Sequence, residues 1–273
     1  MGMGFSVNVR IGAWANDLRL GLKDALKTLG TLHAESVGLD AFAPEVSPRA
    51  LGLSGRRDLA HFIRARGLAG AALLADVGGR RLADAQALDV NLSRIREALQ
   101  LAGDLGMPYL VVPAGFIPPE EEKQSGASTA LREAARTLAA WAAQSKVRVC
   151  WQAGLEPPEA LKQFLAENDS SGVLAIDLNP GGFLARGCDP LKALSLLSER
   201  VALVRAVDHF SGGGEAPFGK GDVRWGELLI ALSGLPRTAP VDLLTGCTLE
   251  GERVPAIGSA IQRLAALRNN PAS

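Results

Sequence analysis

Apolar residues along this chain come in short aliphatic runs, each followed by a longer stretch with helical spacing. The runs at 5–11, 35–39, 69–74, 109–112, 147–151, 173–176, 202–207 and 241–244 predict eight buried strands. After each of them a 3.6-residue period predicts a helix, over 17–29, 56–66, 84–105, 128–144, 157–167, 190–198, 225–232 and 254–267. Near-continuous apolar strands alternating with helices imply a parallel sheet covered by helices. Eight such units with right-handed crossovers close naturally into an α/β barrel of the (β/α)8 type. Ser128, Pro157 and the pair Asp189-Pro190 are suited to helix starts. No linker interrupts the pattern, so residues 1–273 are read as one domain. An open, doubly wound sheet would call for a Gly-x-Gly-x-x-Gly or Gly-Lys-Ser/Thr phosphate loop, and the chain has neither.

Composition narrows the classes of partner. Hydrophobic residues make up 47% of the chain and aromatic residues only 5%, which suits aliphatic strands under alanine- and leucine-rich helices. The 29 basic residues are balanced by 29 acidic ones and form no basic stripe, so no nucleic-acid partner is expected. Cys150, Cys188 and Cys247 stand singly, without the paired spacing of a disulfide framework or zinc knuckle, which suggests a reducing compartment. No 18-residue apolar stretch or signal-like leader is present, so the expectation is a cytoplasmic protein without a membrane partner. Met1-Gly2 opens a loose myristoylation pattern, but Phe5 already belongs to the first predicted strand.

The segment 173–225 carries most of the candidate chemistry. The sixth predicted strand leads into Asp177, and the seventh carries Arg205 and ends on Asp208-His209. A glycine loop, 211–214, then precedes Phe218-Gly219-Lys220-Gly221-Asp222-Val223-Arg224-Trp225. Polar groups at the carboxyl ends of neighbouring parallel strands mark the edge where such barrels bind ligands. The glycine loop is equally suited to be a lid or an ordinary connection.

With these pieces in order, the chain resembles the sugar phosphate isomerase/epimerase family, whose members are xylose isomerase-like TIM barrels. The resemblance rests on 101–110, Ile176-Asp177, Gly187-Cys188-Asp189-Pro190-Leu191 and the Phe218 to Trp225 motif, and spans nearly the whole length. It implies a divalent metal at the barrel mouth, held by glutamate, aspartate, histidine and glutamate from strands five to eight. Here the matching positions carry Gln152, Asp177, Arg205 and Leu244 or Thr245. Only Asp177 keeps the expected ligand type, and a guanidinium at the strand-seven position repels a divalent cation. The family-type metal is therefore not expected, and the cofactor is left unassigned. Glu156 would serve as a ligand only in a shifted alignment that leaves one residue before Pro158.

The resemblance implies a sugar phosphate isomerase or epimerase acting on a small polyhydroxylated substrate, phosphorylated or not. Asp177, Asp208 and His209 are the candidate catalytic groups; Gln152, Arg205, Asp40 and Lys220 are the candidate substrate-binding groups. Arg205 is also placed to pair with Asp177, which would put an internal cation where relatives hold their metal. The alternative is a catalytically inactive paralogue that binds a sugar or serves as a partner subunit. An abasic-site endonuclease is disfavoured, because three histidines and a neutral surface do not supply a multi-metal cluster and a basic groove. Homo-oligomerisation is left open.

Overall fold

The computed structural model describes residues 7–78, 81–236 and 239–271. Eight parallel strands form a closed barrel: β1 (Val9–Trp14), β2 (Ser36–Asp40), β3 (Ala69–Leu74), β4 (Tyr109–Val112), β5 (Arg148–Gln152), β6 (Ala175–Leu178), β7 (Val201–Ala206) and β10 (Val241–Thr245). Barrel order follows chain order, and closure comes from β1 pairing with β10, with Val9 opposite Val241 and Ala13 opposite Thr245. The numbering gap is filled by a small antiparallel hairpin, β8 (Asp208–His209) and β9 (Glu215–Ala216), set in the β7 connection. Around the barrel lie α1 (Leu22–Thr31), α2 (Leu53–Arg64), α3 (Leu88–Leu105), α4 (Gly126–Gln144), α5 (Pro158–Asn168), α6 (Pro180–Ala185), α7 (Pro190–Leu197), α8 (Trp225–Ser233) and α9 (Arg253–Asn269). No helix among the described residues is long and apolar enough to cross a membrane.

Two hydrophobic clusters organise the fold. The larger fills the layer between strands and helices, with residues such as Ile11, Leu39, Leu73 and Ile176 fully covered. The smaller joins Trp14, Ala71, Ala72, Tyr109, Val111, Cys150, Ala175, Ala202, Leu203 and Leu244, which fill the barrel interior. At the amino end of the strands Arg10 grips the buried Asp242 through two bonds, Nε to Oδ1 at 3.0 Å and Nη2 to Oδ2 at 2.7 Å. That fork-to-carboxylate pair links the first and last barrel strands.

The first strand departs most from its expected limits. It was expected over 5–11; Phe5 and Ser6 lie outside the described residues, and the strand runs on through Gly12 and Ala13 to Trp14. Gly12 pairs in register with Ser36 of β2, so the ladder continues past Ile11. The extension brings Trp14 into the barrel interior. Its ring lies against Gly38 of β2, where any Cβ would overlap the indole.

Other ends shift by smaller amounts. Strand β6 lies two residues later than expected, placing Asp177 inside the strand with Leu178 still to follow. Helix α6 was not anticipated; Pro180 sits at its start and the Asn179 side chain caps it by accepting from Gly182 N at 3.0 Å. Helix α4 is capped by Ser125, which accepts from Ser128 N, rather than by Ser128 itself. The expected cap at Asp189 is in place, its Oδ1 accepting from Leu191 N at 2.9 Å.

The Gly38 contact supplies a test of the interior packing. Gly38→Ala is expected to lower unfolding stability by about 1–3 kcal/mol, the usual cost of overfilling a tight site. Gly212→Ala, where a Cβ meets nothing within 4 Å, is the control, expected to change stability by less than about 0.5 kcal/mol in the same urea titration.

Candidate active site at the barrel mouth

The centre of the mouth is occupied by a guanidinium. Arg205 projects from β7, its Nη2 donating to Asp177 Oδ2 on β6 at 3.1 Å. With the Gln152 amide oxygen turned toward it from β5, Nε and Nη2 also donate to that oxygen at 3.1 and 3.2 Å. The guanidinium carbon lies 5.0 Å from the centre of the Trp14 ring, within cation–π range. Three polar contacts and one aromatic face thus hold a side chain that is 16% exposed, against 2% for Asp177. Nη1 makes none of these hydrogen bonds. Burial lifts the Asp177 carboxyl above its usual range, and the charge and hydrogen bond of Arg205 oppose that rise.

A second carboxylate stands beside this group. Asp17 lies in the 3-10 turn Ala15–Leu18 directly after β1, and its Oδ2 accepts from Cys247 N at 3.3 Å. Gly246 allows the approach, since a Cβ there would fall on the same oxygen. Burial raises the Asp17 carboxyl; the charges of Arg205 and Arg253 and the Cys247 hydrogen bond lower it, and Glu215 raises it again. Asp17 was not singled out from the sequence. Its signal was the strand end, and the end had been set three residues too early.

The remaining sequence candidates are spread along the rim. Asp208 is 1% exposed and holds the β7–α8 connection together. Its Oδ1 accepts from His209 N at 3.0 Å and Val223 N at 3.3 Å, and its Oδ2 from Gly219 N at 2.8 Å and Gly221 N at 3.2 Å. The Phe218 to Trp225 motif is therefore a loop wrapped around one buried carboxylate. His209 packs its ring against Gly181 of α6, with Nδ1 buried and without a hydrogen-bond partner. Asp40 ends β2 and closes a local turn, Oδ1 accepting from Phe42 N at 2.8 Å; burial raises its carboxyl. Lys220 is exposed on the turn before α8.

The glycine loop forms the turn of the β8–β9 hairpin. Asp222 Oδ2 ties it down, accepting from Ser211 N and Ser211 Oγ, both at 2.8 Å. Those bonds hold the Asp222 carboxyl below its usual range. Next to it Glu215 accepts from Thr248 N at 2.8 Å and from the Thr248 hydroxyl, stapling the hairpin to the loop after β10.

The donors at the mouth do not suit a divalent ion. The ends of β5, β6 and β7 present Gln152, Asp177 and Arg205, one carboxylate already committed to a cation and one neutral amide, and β10 turns the apolar Leu244 to the interior. Among the described residues no group of three His, Cys, Asp or Glu side chains could hold one metal ion. Glu156, the alternative strand-five ligand, is 1% exposed with both oxygens buried and unpartnered.

No protein-family model matches the sequence, and no curated protein matches it either. Solved structures do. A xylose isomerase domain protein from Planctomyces limnophilus superposes with a TM-score of 0.79 at 20% identity, over 97% of this chain and 99% of that one. The chain has the fold of the xylose isomerase-like TIM barrels. A D-tagatose 3-epimerase-like protein aligns with a TM-score of 0.78 at 14% identity, covering 95% of this chain and 97% of the other. A third such TIM barrel, from Mycobacterium smegmatis in complex with magnesium, aligns at 0.72 and 13% identity over 98% and 99% of the two chains. At these identities the likeness establishes the fold, and chemistry must come from the residues at the mouth.

Glu156 makes the pH dependence of the fold's stability testable. Burial pushes its carboxyl from 4.5 up to about 8, opposed weakly by the charge of Arg186. Between those values the folded chain holds a proton that the unfolded chain has lost. This contribution to stability is complete below pH 4.5 and is lost as pH rises through about 8. The slope it adds is roughly 1.4 kcal/mol per pH unit within that window. Glu156→Gln is expected to remove that slope and to raise the melting temperature at pH 8, as read by calorimetry across the range. A variant that melts in parallel with the wild type at every pH would contradict the assignment.

Proposed function

We propose that this barrel binds a small polyhydroxylated carbonyl compound at its carboxyl-end mouth and moves a proton beside the carbonyl, as an isomerase or epimerase does, without a divalent ion. The observation that carries this reading is the fixed guanidinium of Arg205, buffered by Asp177, Gln152 and Trp14, with Nη1 left over. The solved barrels that share the fold include a D-tagatose 3-epimerase-like protein and a sugar phosphate isomerase/epimerase from Parabacteroides distasonis, which supports the substrate class.

In this mechanism Arg205 Nη1 donates to the substrate carbonyl oxygen. Asp17 removes the proton from the adjacent carbon; the C–H electron pair becomes a carbon–carbon double bond and the carbonyl pair moves onto oxygen. The resulting enolate oxygen faces a charge that needs no reorganisation, because Asp177 and Gln152 already fix the guanidinium. For an isomerisation the neighbouring hydroxyl passes its proton to the enolate oxygen and becomes the new carbonyl as Asp17 returns its proton to the former carbonyl carbon; for an epimerisation the original carbon takes a proton from solvent on its opposite face and the carbonyl re-forms. Burial raises the Asp17 carboxyl toward the working range of a general base. Asp177 acts through Arg205 as a positioning residue, and Asp208 through the loop it holds. His209, Gln152 and Asp40 are assigned to substrate hydroxyls or to the shape of the mouth.

The binding-only alternative has its own support: Asp177 is tied to Arg205 and Asp208 to four backbone N–H groups. Incubating the protein with ketohexoses and their phosphate esters in heavy water separates the two. Proton NMR is expected to show solvent deuterium entering the carbon beside the carbonyl, unaffected by a chelator. Asp17→Asn is expected to slow exchange at least about 100-fold, the usual worth of a positioned base. Exchange that survives the substitution would sink the role of Asp17, and exchange lost to the chelator would sink the metal-free mechanism. A rise in melting temperature without exchange favours the binding protein.

A further inference from the structure

Beside the mouth, a cleft of about 280 Å³ opens between the β9 hairpin with its following turn and the loop that joins β10 to α9. Ala206, Gly246 and Cys247 line its inner wall. Ala206 follows Arg205 in β7, and Cys247 carries the amide bonded to Asp17, so the cleft adjoins the proposed reaction centre.

Three cations line this cleft: Lys220, Arg253 and Arg263. Among the described residues none of them forms an ion pair. Arg253 is the unusual one. It is 8% exposed, Nη2 is held from behind by the Thr248 carbonyl at 2.9 Å, and Nε is buried without a partner. A guanidinium so far out of water, with donors unspent and no carboxylate on it, is costly unless an anion arrives from outside.

The acids of the cleft do not fill that role. Asp208 is surrounded by its four backbone N–H groups, and Glu215 by the amide and hydroxyl of Thr248. Glu250 and Glu252 stand exposed at the rim, where water screens them. Asp17 feels the Arg253 charge but spends its contact on Cys247 N. The start of α9 adds donors: its first internal bond runs from Ala256 N to Glu252 O, and Pro255 has no N–H, which leaves the amides of Arg253 and Val254 without a carbonyl in the helix.

We infer that this cleft is a phosphate site, with Arg253 as its buried anchor, the first turn of α9 beside it, and Lys220 and Arg263 as flanking charges. The anion site stands on the cleft alone. Its use for the phosphate of a sugar held at Arg205 rests on the function proposed above.

Titration of the full chain with inorganic phosphate at low salt, followed by calorimetry and phosphorus NMR, tests the site without any turnover. Saturable binding is expected. Arg253→Gln should weaken it at least about tenfold, the worth of one hydrogen bond to a charged group. Lys220→Gln and Arg263→Gln, both at exposed positions where folding is not at stake, should each weaken it about threefold. Fructose 6-phosphate binding more tightly than both fructose and phosphate would identify the anion as part of the substrate; binding no tighter than phosphate would identify a separate phosphate site. No saturable phosphate binding, or binding equal in the wild type, Lys220→Gln and Arg263→Gln, overturns the proposal. Loss of deuterium exchange with phosphate binding intact would count against the function and not against this site.

Discussion

A guanidinium stacked on an indole and paired with a buried carboxylate sets the character of this barrel. Arg205 would be intolerable at the centre of a closed sheet without compensation, since removing one partner of a buried pair typically costs about 3–5 kcal/mol. Asp177 supplies the opposite charge, Gln152 the second acceptor and Trp14 a face rich in π electrons. Each comes from a different strand, so the cluster also cross-links β1, β5, β6 and β7 at their carboxyl ends. The same arrangement leaves a fixed positive charge at the carboxyl end of the barrel, and a fixed charge needs no coordination sphere to be assembled.

The surrounding structure serves that arrangement. Gly38 clears space for the Trp14 ring, and Gly246 lets Asp17 come close to the last strand. The loop after β7 is wound around Asp208, and Glu215 fastens it to Thr248 across the gap to the loop after β10. The two connections nearest Arg205 are thus held by carboxylates saturated with hydrogen bonds, which preorganises the rim at the expense of their availability as bases. Burial has the opposite effect on Asp17 and Glu156, raising both carboxyls.

Much of the architecture was legible from the period of the apolar runs. Eight aliphatic strands, each followed by a helical pattern, leave a closed barrel as the natural solution, and the resemblance in the Asp177 and Phe218 to Trp225 segments pointed to its xylose isomerase-like form. The pairing of Arg205 with Asp177 was also readable, because neighbouring parallel strands had to deliver both side chains to one end. Trp14 and Asp17 were hidden by the strand limit at Ile11: Gly12 resembles a stop in a linear pattern and becomes a ladder position only when β2 lies beside it. Arg253 was invisible for another reason. An arginine at a helix start reads as solvated, and only the loop after β10, folding over it, takes it out of water. The six-residue helix α6 and the two-residue strands of the hairpin are too short to leave a period.

The most direct test of this account asks whether the mouth accepts a divalent ion. Titrating metal-stripped wild-type protein with manganese, and following the paramagnetic resonance of the free ion, measures occupancy without a substrate. The account predicts that the signal grows in proportion to added manganese, with no tight stoichiometric binding. One manganese taken up per chain, and lost in Asp177→Asn, would show that Arg205 leaves the centre of the mouth and would contradict the account.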